Sequence, residues 1–163
     1  RWCRLVGPQK TTNIMKYLFA IAGFFALSAC SPKPQDIHYG EDMCSYCKMT
    51  IVDRQHAAQA VTNKGRVYKF DAIECLLNYV EDEGGEEQFA HLLVNDFQQP
   101  GVLIPAQESQ YLISKAVPSP MGAYLSAFEH AEAADQMQAE KGGHVYHWKA
   151  LQHHAELSGL ITE

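Results

Sequence analysis

With 163 residues the chain has room for one ordinary domain, and 47% apolar with 10% aromatic residues is the composition of a folded globule, not of a disordered chain. The formal net charge of −6 hides an asymmetry: four of the 13 basic residues (Arg1, Arg4, Lys10, Lys16) precede Cys30, whereas all 19 acidic residues follow it. The part after Cys30 therefore carries nine basic against 19 acidic residues, a net of −10. A body that acidic repels phosphate backbones, which argues against nucleic acid as a partner; it repels anionic headgroups too, so any membrane attachment must come from something other than charge.

Residues 1–14 contain no initiator Met and read as translated upstream sequence, set aside with Cys3 from the fold. From Met15 a basic start at Lys16 leads into an apolar run over residues 17–27. That run is too short to span a bilayer and ends in small residues, as a secretory signal over residues 15–29 does. Its last four residues, Leu27-Ser28-Ala29-Cys30, resemble a bacterial lipobox, which predicts a lipid on Cys30; an uncleaved anchor is the alternative. Ser31 stands where a retention signal carries Asp, which favours the outer membrane. Residues 30–36 are polar and proline-rich, so they are expected to be an extended, mobile tether holding a domain of residues 37–163 off the bilayer.

Within that domain residues 49–52 and 57–62 read as strands. Asn63-Lys64-Gly65 is a turn signal, and residues 66–70 alternate like a returning hairpin strand. Asp71 looks like a helix N-cap with Glu74 completing a capping box, and Ile73, Leu76, Leu77 and Val80 share one apolar face. Gly84-Gly85 stops that helix. A short helix over 86–91 and a strand over 92–95 follow. The second half repeats the order: a strand over 111–116, a turn over 118–122, a strand over 123–128, a helix over 129–141, Gly142-Gly143, a strand over 144–148 and a short terminal helix. The expected fold is α+β, two tandem ββαβ-like units (about 37–97 and 98–163) forming one compact domain by degenerate duplication.

Chemistry concentrates in Asp42-Met43-Cys44-Ser45-Tyr46-Cys47-Lys48-Met49. Two thiols three apart hold one metal ion or join as a disulfide. In an extended segment the Met49 thioether points to the same side as the Cys47 thiol. Thiolate with thioether is the donor set that soft ions such as Cu(I) prefer over Zn(II), Mg(II) or Ca(II). If Cys30 is lipidated, Cys44, Cys47 and Cys75 remain, an odd number, so at least one thiol is free unless it pairs between chains. Cys75 sits off the apolar stripe and reads as a buried helix residue. The rival readings are a Cys44-x-x-Cys47 thiol–disulfide oxidoreductase and a structural zinc site using Cys44, Cys47, Cys75 and a His. His144, His147, His153 and His154 read as surface positions, and no Ser-His-Asp order, phosphate loop or acid–base pair marks an enzyme.

The run Cys44, Cys47, Met49, with Ala57-Ala58-Gln59, Tyr68-Lys69-Phe70-Asp71, Cys75 and Ser119-Pro120-Met121-Gly122-Ala123, resembles the NosL family over residues 38–148. These are copper-binding lipoproteins associated with nitrous-oxide reductase. The resemblance implies a fold of two ββαβ-like units and a Cu(I) carrier on the periplasmic side of a membrane. Its copper acceptors would be nitrous-oxide reductase and the membrane machinery that assembles the reductase centres. It places the family's Cys-x-Met on Cys47 and Met49, with Cys44 as the CxxC form of some members and Met121 as a further sulfur. The family's nitrogen ligand follows the Cys-x-Met, and the nearest histidine here is His56.

Overall fold

The first sheet grows from an alanine-rich strand that both faces of the structure can cover. In the computed structural model, which describes residues 31–158 and side chains as far as Ala155, β1 (Ala58–Thr62) pairs antiparallel with β2 (Val67–Phe70) and with β3 (Phe89–Asn95). Ala58 lies opposite Phe70 and Ala60 opposite Tyr68. That face receives α1 (Ile73–Asp82), whose Tyr79 ring stacks on Phe70 and Tyr68 at centroid distances of 5.2 and 4.7 Å. Ile73, Leu76, Leu77 and Val80 are all buried, as their spacing predicts.

A fourth strand, β4 (Leu103–Pro105), closes the sheet in the order β2-β1-β3-β4. The second sheet has β5 (Gln110–Ile113) between β6 (Leu125–Phe128) and β7 (His144–His147), with α2 (Ala131–Lys141) joining β6 to β7. α3 (Trp148–Ser158) follows at once. Each sheet obeys one rule: the first strand is central, its hairpin partner lies on one side, and the strand after the helix lies on the other. The architecture is α+β with two ββαβ units, sharing a core in which Ile51, Phe70, Leu76, Tyr111, Leu125 and Trp148 are buried. No helix among the described residues is long and apolar enough to cross a membrane.

Several elements differ from the sequence expectations. The strand expected over 49–52 is a single bridge, Met43 to Thr50, because the chain turns back on itself around the cysteines. The helix expected over 86–91 is one 3-10 turn, Glu86–Gln88, since β3 takes the chain from Phe89 to pair with Thr62. β4 was not foreseen; it is three residues long and lies beyond residue 97, yet it belongs to the first sheet. The tether expected to be mobile is docked from Pro32 onward: the Gln35 N–H donates to Gln59 Oε1 (2.9 Å), and Lys69 Nζ donates to the Asp36 carbonyl (2.6 Å). The signal at 15–29, the lipidation site Cys30 and residues 1–14 lie outside the described residues.

Gly143 shows where the second sheet tolerates least. Its φ is +104°, and a Cβ there would lie 2.2 Å from the Ile113 carbonyl oxygen and 2.9 Å from Ser114 Cβ. At Gly142 (φ +68°) a Cβ would meet nothing within 4 Å. Gly143→Ala is expected to lower the unfolding free energy by about 3 kcal/mol, and Gly142→Ala by about 1 kcal/mol, which urea denaturation of the two variants measures.

Candidate metal centre

The cysteine loop is built by its own backbone. The Cys44 N–H donates to the Met49 carbonyl (2.8 Å) and the Lys48 N–H to the Cys44 carbonyl (3.1 Å), with Lys48 at φ +66°. The Ser45 N–H reaches the Lys69 carbonyl (2.7 Å), fastening the loop to β2. Strand β2 ends at Phe70, and the next residues turn into α1 against the loop. That junction brings Cys44, Cys47, Asp71 and Cys75 together, each offering a ligand atom, all within 4.8 Å of one another. All three thiols are free, Cys44 and Cys75 are buried, and Cys47 is half-buried.

The electrostatics within the cluster are unequal. The hydrogen bond from Cys75 is the main cause that draws the Cys44 thiol down from 9.0 to about 6, against the opposing effect of burial. Main-chain N–H groups of Asp71 and Cys47 also bond the Cys44 sulfur and favour its thiolate. Cys75, giving that bond and buried as well, is held far above the ordinary thiol range. Burial, and next to it the bond that Cys47 Sγ donates to Asp71 Oδ1 (3.2 Å), push Cys47 up to about 11. Near neutral pH the cluster thus holds one thiolate and two thiols beside Asp71. An incoming cation with affinity for sulfur finds an anion already formed and two protons to displace.

Two sequence expectations are corrected here. Cys75, read as a buried helix residue, is buried as expected and is also a full member of the cluster, placed there by the first turn of α1, which follows directly on the Asp71 junction. Asp71 is not the N-cap: Ala72 holds that position with no side-chain cap, because the Asp71 carboxylate turns to Cys47. Nor does Glu74 complete a capping box. It is buried, its Oε1 accepts the Ser119 hydroxyl and the Ala123 N–H (3.2 Å), and burial holds its carboxyl above the ordinary carboxylate range.

Of the other residues singled out, Met49 and Met121 are surface side chains, 46% and 42% exposed. Met121 sits on the loop that Glu74 fastens to the first turn of α1, beside Cys75. The described non-glycine residues with positive φ are Lys48 and Tyr124 (φ +61°), one next to Met49 and the other closing the Met121 loop, so both thioether loops hold strained backbone. His56 is buried and engaged at both ring nitrogens, Nδ1 to Asp53 Oδ2 (2.8 Å) and Nε2 to Ser126 Oγ (3.3 Å), and is not among the converging groups. Asp53, His56 and Ser126 have the connectivity of a charge relay, but Ser126 is fully buried, so no substrate reaches its hydroxyl.

A buried cluster of three thiols and a carboxylate, set where two ββαβ units share a core, defines a soft-ligand centre on an α+β scaffold. The chain belongs to the NosL family, whose model matches residues 35–155. Its fold is similar to that in the crystal structure of the copper chaperone NosL from Shewanella denitrificans, with a TM-score of 0.63 and 18% identity over 72% of this chain and 94% of that one. No curated protein matches.

The Cys44 thiolate should be visible directly. Ultraviolet thiolate absorption of the metal-free protein is expected to rise with a midpoint at about 6, and Cys75→Ala to move that midpoint back toward 9.0. Since the folded value lies below the unfolded one, this thiolate's contribution to stability is complete above pH 9.0 and is lost as pH falls through about 6. A chemical-denaturation series across that window checks the sign.

Proposed function

We propose that this chain is a lipid-anchored Cu(I) carrier, held through Cys30 on the periplasmic side of a membrane, with the outer membrane favoured. In this reading it hands copper to the machinery that assembles the centres of nitrous-oxide reductase. The observation that carries the reading is the convergence of Cys44, Cys47 and Cys75 on one point, with one sulfur already ionised. Three sulfurs suit a soft monovalent ion, and family membership together with the fold shared with a copper chaperone supports the same choice.

In the mechanism Cys44 receives the ion as a thiolate, and Cys75 and Cys47 yield their protons to water as they complete the sulfur set. Cys47 is the thiol nearest solvent. With the exposed thioether of Met49 after it and Met121 on the neighbouring loop, the ion has a route outward through soft donors that a partner's own ligands replace one at a time. A thioether survives an oxidising compartment in which a thiol is lost to a disulfide, so surface methionines suit the exit.

Asp71 favours a second reading. An oxygen beside three sulfurs completes a four-donor set of the kind structural zinc sites use. The oxidoreductase reading is weaker. Cys44 is 1% exposed, which denies a substrate disulfide access.

Anaerobic titration of the lipid-free protein with Cu(I) against a chelator, repeated in excess Zn(II), separates these readings. One Cu(I) bound with sulfur-dominated X-ray absorption and undiminished by Zn(II) is the expected result; preferential retention of Zn(II) would establish the structural site instead. Cys44→Ala, Cys47→Ala and Cys75→Ala are each expected to weaken Cu(I) binding by about a hundredfold or more. Met49→Ala and Met121→Ala should change affinity by less than about tenfold while slowing transfer to an acceptor.

A further inference from the structure

Gln59 is fully buried in the middle of β1, yet its side chain has no role in either the core or the thiol cluster. Its amide instead grips the backbone of the preceding segment: Oε1 accepts from the Gln35 N–H (2.9 Å) and Nε2 donates to the Gln35 carbonyl (2.6 Å). The register explains the rest. Gln59 lies opposite Lys69 on β2 and Leu93 on β3, and Val61 opposite His91, so these side chains share the face turned away from α1. Residues 32–36 cross that face, with the His91 ring Nε2 bonded to the Pro32 carbonyl (3.2 Å), Gln59 to Gln35, and Lys69 Nζ to the Asp36 carbonyl (2.6 Å). Ile37 then plugs into the core, 8% exposed. Lys69 also pairs with Asp42 (2.6 Å), which ties the end of the strap to the cysteine loop.

The strap has a direction. Pro32 lies beside Gly65 at the tip of the β1–β2 hairpin, and the thiol cluster lies past the other end of β2. Six residues separate Gly65 from Asp71, about 20 Å at a strand rise of about 3.3 Å per residue. Cys30 is only two residues before Pro32, a reach of about 7 Å at most.

We propose that residues 32–36 are a docked strap that sets the hairpin end of the domain, residues 62–66, against the lipid surface, so that the thiol cluster faces away from the bilayer. The proposal rests on lipidation of Cys30. Charge does not set the orientation, since Lys33, Lys64 and Arg66 share this end with Glu81, Asp82, Glu83 and Glu87. The short leash does. The partner this arrangement fits is a protein that approaches from the aqueous side, not a pore opening flush with the same membrane.

The test uses the full lipidated chain in its native membrane, with a benzophenone amino acid placed either at Lys64, beside the strap, or at Met43, an exposed residue beside Cys44. Lipid adducts at position 64 and none above background at position 43 are expected. Equal labelling, or more at 43, would overturn the orientation. Gln59→Leu keeps the volume and removes both bonds to Gln35, and should abolish the difference between the two positions. If that variant fails to fold, hydrogen exchange on the unmutated chain decides the strap: the Gln35 amide should be protected by at least about a hundredfold over a free peptide, and free-peptide exchange would overturn the docking. Cys30→Ser should release the protein from the membrane. Its retention there would refute the anchor while leaving the strap to stand or fall on the exchange result.

Discussion

The site depends on gathering three sulfurs, two of them buried, with one ionised as a thiolate. A thiolate removed from water is costly, and this one is supported at close range by the Cys75 thiol and by the N–H groups of Asp71 and Cys47. Those donors come from three separate pieces of chain: the tight loop after Met43, the residue that leaves β2, and the first turn of α1. Each must be in place for the charge to be tolerated. The hairpin register, the length of β2 and the entry angle of α1 are therefore all constraints on the same few ångströms. The Ser45-to-Lys69 bond is the stitch that holds loop to strand.

The parts of the fold governed by a single local rule were legible in the sequence. The turn signal at Asn63-Lys64-Gly65 with alternation over 66–70 marked the β1–β2 hairpin, and the Ile73, Leu76, Leu77, Val80 spacing marked α1. Element order gave the two ββαβ units. What escaped was decided by tertiary pairing: β4 is three residues long and exists because the edge of β3 needs a partner, and residues 49–52 have strand composition but are bent around the cysteine loop. At the site, Cys44 and Cys47 announced themselves by spacing. Asp71 did not, because an aspartate ahead of an apolar helix fits a cap equally well, and only the position of the Cys47 sulfur distinguishes the two. Gln35 and Gln59 are 24 residues apart, and nothing in a polar, proline-rich segment signals that a buried glutamine will hold it.

The two ββαβ units differ at the position where the first carries its helical thiol. Strand β2 and its helix read Phe70-Asp71-Ala72-Ile73-Glu74-Cys75, while β6 and its helix read Phe128-Glu129-His130-Ala131-Glu132-Ala133. Phenylalanine, acid and glutamate recur in step, but alanine stands where the first unit has its deepest thiol. Ala133 and Ala134 pack close to β5 and β6, so the second unit matches the first in element order but carries no thiol at that position. Its Ser119–Ala123 loop is fastened to Glu74, the residue before Cys75 in the first turn of α1.

β4 covers what would otherwise be a bare sheet edge. Without residues 103–105 the outer edge of β3 is an open row of hydrogen-bonding groups. An uncapped edge invites pairing with any other extended chain. The first sheet is therefore complete only with a strand from the second half of the chain, and a fragment ending before residue 103 is expected to expose an aggregation-prone edge.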